Sequence, residues 1–114
     1  MKSLKILTAT AILAASTTFA FADAIEGTWK TGDDVLVKIS KCGGSFCVDV
    51  VDGKYKGKRS GKLKATGGNK YEGKLKQFST GISFNGTASL SGNSMKLVAK
   101  KFGVTVKTDN WSRR

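Results

Sequence analysis

Both cysteines of the chain fall in one hexapeptide, Cys42-Gly43-Gly44-Ser45-Phe46-Cys47. Paired cysteines serve thiol–disulfide exchange, zinc binding or a structural cross-link. Exchange catalysts carry C-x-x-C at the start of a helix, where the dipole lowers a thiol pKa. Here the spacing is wider and strand-forming residues lie on both sides. A structural zinc site takes about four ligands, and the chain offers two cysteines and no histidine. The remaining reading is a disulfide from the end of one strand to the start of the next, where cross-strand neighbours bring Cβ atoms close enough. Free or redox-active thiols are the alternative. Closing so short a loop adds roughly 2 kcal/mol in the chain-entropy model.

Without histidine there is no Ser-His or Cys-His pair and no histidine metal triad. The carboxylates Asp23, Glu26, Asp33, Asp34, Asp49, Asp52, Glu72 and Asp109 mostly fall at turns or on the polar side of strands. An enzyme would require a deep pocket gathering two of them. The expectation is a protein that is not an enzyme and carries no metal or cofactor.

Positive charge is the most unusual feature. Lys54, Lys56, Lys58, Arg59, Lys62, Lys64, Lys70, Lys74 and Lys76 crowd residues 54–76, with Glu72 the one acid among them. All eight lysines have even numbers. On straight strands they share one face, and Tyr55, Leu63, Tyr71 and Leu75 share the other. Such a wall attracts lipopolysaccharide phosphates, acidic glycans or anionic lipid. The competing reading is a solvated outer face that keeps the protein soluble and discourages edge pairing. Specific nucleic-acid binding is disfavoured, because aromatics for base stacking are largely missing.

The two tryptophans stand near the ends of the mature chain, in Gly27-Thr28-Trp29 and Trp111-Ser112-Arg113. If the first and last strands are neighbours, these motifs meet. An arginine stacked on an indole then closes the structure by cation–π attraction and area burial. An aromatic ligand contact is the alternative role.

These residues need elements to position them. Lys2 and Lys5 precede an apolar run over residues 6–15, and Ala20-Phe21-Ala22 supplies small residues at −3 and −1. Residues 1–22 therefore read as a secretory signal peptide cleaved after Ala22, with an apolar core too short to span a bilayer; an N-terminal anchor is the alternative. No later stretch is apolar enough to cross a membrane. The expected mature chain, residues 23–114, is a single domain with 18 basic and 8 acidic residues. The even cysteine count suits an oxidising compartment, the periplasm or the exterior.

The mature chain contains no proline and alternates polar with apolar residues. Val35, Val37 and Ile39 are followed by a β-branched run over residues 46–51. Ile82, Phe84, Gly86, Ala88 and Leu90 recur every second residue, as do Met95, Leu97 and Ala99, and then Phe102, Val104 and Val106. A period of two means half-buried strands. Turn signals separate them at Gly32-Asp33-Asp34, Gly43-Gly44, Asp52-Gly53, Gly67-Gly68-Asn69 and Ser91-Gly92-Asn93. The pattern predicts an all-β protein, a small antiparallel up-and-down β-barrel of seven or eight strands stapled by one disulfide; a flattened sandwich is the alternative. Trp111 is out of phase with Val104 and Val106, so a bulge is expected near Asp109-Asn110. Small inward residues, Gly57, Gly61, Gly73, Gly86 and Ala88, leave room for a shallow cavity at one mouth.

The ordered set Gly27-x-Trp29, Val35-x-Val37-x-Ile39-x-x-Cys42, Phe46-Cys47, Gly68-Asn69-Lys70-Tyr71-x-Gly73-Lys74-Leu75, Leu90-Ser91-Gly92-Asn93-x-Met95-x-Leu97 and Trp111-Ser112-Arg113 covers nearly all of the mature chain. It resembles the exported Gram-negative family catalogued as domain of unknown function 2147. The resemblance implies a small secreted β-barrel-like domain and brings no catalytic residues with it. Val48 replaces the family's usual glycine, and Ala65-Thr66-Gly67-Gly68 replaces an Asp-Pro-containing loop. The Gly-x-Trp opening and terminal arginine are also similar to lipocalin and avidin-like barrels, an analogy of architecture alone.

The function expected from these features is a non-enzymatic exported binding or envelope-associated module that takes an anionic envelope component on its basic face. The alternative is a protein partner: a periplasmic inhibitor of the protease-inhibitor type, with Asp23-Ala24-Ile25-Glu26 as the inserting strand.

Overall fold

The computed structural model describes residues 23–114; the expected signal peptide and its cleavage site lie outside the described residues. Eight strands follow one another: β1 (Gly27–Lys30), β2 (Leu36–Cys42), β3 (Ser45–Val50), β4 (Arg59–Gly67), β5 (Lys70–Gln77), β6 (Ile82–Ser91), β7 (Ser94–Lys101) and β8 (Val104–Arg113). Each pairs antiparallel with the next, and β8 returns to β1, so the sheet is a closed up-and-down barrel. Closure gives every strand a neighbour on both sides, the β1–β8 seam through two residue pairs. No helix forms among the described residues.

Alternation puts Val37 and Ile39 of β2, Phe46, Val48 and Val50 of β3, Leu63 of β4, Tyr71 and Leu75 of β5, Ala88 and Leu90 of β6, Met95, Leu97 and Ala99 of β7, and Trp111 of β8 inside. Cys42 and Cys47 occupy the outward positions of β2 and β3. They form the disulfide, with Cα atoms 5.8 Å apart, and tie the β2–β3 hairpin from outside the barrel.

The small residues have unequal roles. Gly61 and Gly73 sit where β4 and β5 press together: a Cβ on Gly61 would run into the Lys74 carbonyl oxygen, and one on Gly73 into that of Lys62. Gly86 is looser, its added Cβ lying 3.3 Å from a Leu97 methyl. Gly57, expected inside, belongs instead to the β3–β4 loop at φ 90°.

Strand β8 corrects the predicted phase. The register shift lies opposite Ala99/Lys100, beside Val106, and not at Asp109-Asn110. It brings Lys107, Asp109 and Trp111 opposite the inward residues Ala99, Leu97 and Met95. Phe102, Val104 and Val106 are exposed, not core, and Phe102 sits in a turn; Ile82 is exposed as well. Val104 opens β8 opposite Lys101 and Val106 is the extra residue, so the two faces of the strand exchange only beyond it.

The close approach of β4 and β5 yields a testable contrast. Gly73→Ala forces backbone apart and is expected to cost about 1–3 kcal/mol, the range for overpacking. Gly86→Ala meets only a movable side chain and is expected to cost less. Urea-denaturation midpoints of the two variants measure the difference.

Candidate functional site: a plugged barrel, its open mouth and a basic wall

One end of the barrel is sealed by the segment before β1. Ile25 is fully buried, and its carbonyl oxygen accepts a hydrogen bond of 2.9 Å from Trp29 Nε1. The Tyr71 hydroxyl donates to Asp23 Oδ1 at 2.6 Å. Arg113 completes the seal: its guanidinium lies 4.3 Å over the Trp29 ring and donates to the carbonyl oxygens of Glu26 (2.9 Å) and Ala24 (2.6 Å). Gly27, at φ 132°, leaves room for that guanidinium, because an added Cβ would come within 3.0 Å of Arg113 Nη1. Gly27, Trp29 and Arg113 thus meet at one end. The segment read as an inserting strand is the plug of the barrel, its central Ile25 inaccessible.

Trp111 has a different place. It is buried opposite Met95 and forms part of the floor of a cavity of about 410 Å³ that opens at the other end. Val37, Val48, Val50, Leu75, Leu97 and Ala99 supply apolar wall, with Phe84 and the stacked rings of Tyr55 and Phe78 (centroids 5.4 Å apart) nearer the loops. Size and lining fall in the range of small-molecule sites, about 300–1,000 Å³ and mostly apolar.

Polar groups ring the mouth. Asp33, in the β1–β2 loop, forms a salt bridge with Lys107 Nζ at 3.6 Å and accepts a hydrogen bond from Gln77 Nε2 at 3.4 Å. Asp109 accepts from Trp111 Nε1 at 2.9 Å and from the Gly32 backbone N–H at 3.3 Å. The mouth therefore does gather two carboxylates. Each is engaged in tying the β1–β2 loop or the floor tryptophan in place, which is a structural use of the pair.

The predicted basic residues divide into two groups. Lys54 and Lys56 lie in the β3–β4 loop and Lys58 just before β4, so they do not share a strand face with the others. Tyr55, between them, packs on Phe78. Arg59 is paired with Asp49 at 2.7 Å. Lys62 and Lys64 on β4 and Lys70, Lys74 and Lys76 on β5 point outward and are exposed. Lys62 stands directly opposite Lys74, and the row continues through Asn85 of β6 to Lys100 of β7. Like charges directly opposed across a ladder destabilise it. Glu72 stands opposite Lys64, yet among the described residues Arg59–Asp49 is the one salt bridge formed by the nine predicted cations.

Lys100, the cavity-lining Tyr55, Phe78 and Phe84 and the mouth carboxylates Asp33 and Asp109 were not among the candidate site residues, whereas Trp111 was. Lys100 joins the wall only through the β5–β6–β7 register. Tyr55 and Phe78 meet through two loops that carry no strand periodicity.

The plug carries a pH signature. Burial, together with the hydrogen bond to Asp23 and its charge, pushes the Tyr71 phenol up to about 12. Its folded-state pKa exceeds the unfolded value of about 10, so its contribution to stability is complete below about pH 10 and is lost as pH rises toward 12. Spectrophotometric titration is expected to show one phenol ionising only near pH 12, and Tyr71→Phe is expected to remove that step.

No family model and no curated protein matches the chain, so the resemblance to domain of unknown function 2147 rests on the ordered motifs alone.

Proposed function

We propose that the protein is a non-enzymatic binding module of the bacterial envelope that takes an anionic amphiphile. The apolar part of the ligand enters the Trp111-floored cavity, and the lysine wall draws its acidic group to the protein. The observation that carries this reading is the asymmetry of the barrel: one end is plugged by residues 23–26, and the other opens on an apolar cavity of about 410 Å³. A barrel filled throughout would leave only its outer wall for ligands.

The wall adds charge selectivity. Lys62 and Lys74 face each other with no carboxylate between them, and Lys100 extends the row. A bound anion relieves that repulsion, which is differential binding energy available to acidic ligands and to no others. Acidic glycans would use the wall but leave the cavity unused, so an acyl-bearing anion fits the two features together.

Titration with dodecyl phosphate, followed by tryptophan fluorescence, tests the reading. Binding is expected to perturb the emission, because Trp111 forms the floor. Ala99→Phe fills the cavity and is expected to weaken binding at least tenfold. Affinity is expected to fall as salt rises toward a Debye length of about 8 Å, with a shallower slope for the double variant Lys62→Glu, Lys74→Glu. Absence of binding at low salt, or indifference to Ala99→Phe, sinks the proposal.

A further inference from the structure

Four hairpins of the barrel turn through two residues: Gly43-Gly44, Gly68-Asn69, Gly92-Asn93 and Phe102-Gly103. Tight hairpins demand positive φ, which glycine and asparagine adopt at little cost and bulky residues do not. In the first three, every positive-φ position is filled accordingly: Gly43 (68°), Gly68 (61°), Asn69 (62°) and Gly92 (58°). The β7–β8 turn breaks the rule. Its two residues have φ 53° and 77°, the primed type-I geometry, yet Phe102 occupies the first position.

The ring of Phe102 brings no packing in return. It is 93% exposed, and the apolar residues beside it are also in solvent: Val104 at 63%, Val106 at 60% and Ile82 at 49%. Ile82 belongs to the same patch through the start of β6, since Lys101 Nζ donates to the Ser83 carbonyl oxygen at 2.8 Å. Strained backbone that supports no core contact is a mark of function. So is a cluster of exposed large apolar side chains at one tip.

Charge identifies what covers the patch. Lys100 and Lys101 immediately precede the turn, and Lys101 Nζ sits 5.6 Å over the Phe102 ring. Through Asn85, Lys100 continues the row to Lys74 and Lys62. An aromatic tip with aliphatic neighbours and a collar of lysines matches the boundary of an anionic bilayer. There the ring enters the acyl region and the ammonium groups meet phosphates. The barrel wall cannot serve as the membrane face, because lysines occupy mid-strand positions where a spanning barrel carries an apolar belt.

We infer that the β7–β8 hairpin is a membrane-docking tip, with Phe102 as the inserting anchor and Ile82, Val104 and Val106 around it, directed to bilayers rich in anionic lipid. Ala99, Phe84 and Lys107 line the cavity close to this hairpin, so docking through the tip brings the open end of the barrel to the lipid surface. The inference rests on the proposed binding function, for which the bilayer is the source of the amphiphile.

The test uses the mature protein and vesicles of phosphatidylglycerol and phosphatidylcholine, with pure phosphatidylcholine as control. Wild type is expected to co-sediment with the anionic vesicles and not with the neutral ones. Phe102→Asn suits the turn, so it is expected to raise the melting temperature while weakening vesicle binding about tenfold or more. Its affinity for dodecyl phosphate in free solution is expected to be unchanged. Phe102→Trp is expected to give a blue-shifted emission on anionic vesicles, quenched by brominated acyl chains. Undiminished vesicle binding by Phe102→Asn overturns the inference and leaves the cavity reading standing. Membrane docking is equally overturned if wild type binds dodecyl phosphate but no vesicle, or if the patch instead drives concentration-dependent dimerisation that Phe102→Asn abolishes. If wild type binds neither probe, both proposals fall.

Discussion

The stacking of Arg113 on Trp29 holds the seam on which the barrel depends. Strands β1 and β8 share only the pairs Trp29↔Arg113 and Lys30↔Ser112, the shortest ladder of the sheet. Two paired positions are a weak closure for a molecule whose other ladders run for four to eight. Side chains supply the rest. One guanidinium covers the indole face and satisfies two carbonyl oxygens of the incoming chain, while the indole N–H satisfies a third. Partial desolvation strengthens each of these contacts. Charge-assisted bonds to backbone also fix the path of residues 23–26, so seam and plug form together. The disulfide is on the outward face of the β2–β3 hairpin, with Cys47 fully buried, and contributes to neither.

That arrangement dictates how the interior is divided. The sealed half receives the large side chains: Ile25, Trp29, Ile39, Phe46, Leu63, Tyr71 and Met95. Phe46 and Tyr71 pack edge to face, with centroids 5.7 Å apart. Toward the open end Val37, Val48, Val50 and Ala99 share the lining with Leu75, Leu97 and Phe84, and the cavity lies between them. Gly61 and Gly73 let the backbones of β4 and β5 approach closely. Only a cavity open to solvent can be retained without the cost of an empty interior.

Most of this architecture was legible because a period of two survives wherever a strand has one wet face. Strands β2, β3, β5, β6 and β7, the disulfide and the meeting of Trp29 with Arg113 could all be read directly. The losses share a cause, namely information carried by register. The mismatch between Val104 and Trp111 reveals that β8 carries an extra residue but not where, and nothing local shows that this residue is Val106 or that Phe102 and Val104 lie at a tip beyond the core. The lysines at 54, 56 and 58 continue the even-numbered series of β4 by coincidence, since the chain is looping there. Conversely, the opposition of Lys62 and Lys74 and the extension to Lys100 exist only across strands. Phe-Gly also carries no familiar hairpin signal. The turn was invisible because its residue choice opposes its geometry.

Two departures from local rules remain after the fold is accounted for, and they lie on one connected surface. Opposed lysines weaken the β4–β5 ladder, and phenylalanine strains the β7–β8 turn. Among the described residues the opposed lysines form no salt bridge, and the ring meets only the Lys101 ammonium. Elsewhere the same chain follows the rules closely: glycine and asparagine fill the other two-residue hairpin turns, Asp34 takes the positive φ of the β1–β2 loop, carboxylates at the open end are engaged by donors, and the buried side chains among the described residues are apolar. A sequence consistent at every other level but broken at two adjoining places points to selection by something outside the chain. Repulsion among the lysines is relieved only by external anions, and exposure of the ring only by an external apolar phase. A charged polymer supplies the first, and a protein groove the second. An anionic bilayer supplies both in the order in which the surface presents them, with lysines behind and the aromatic tip in front.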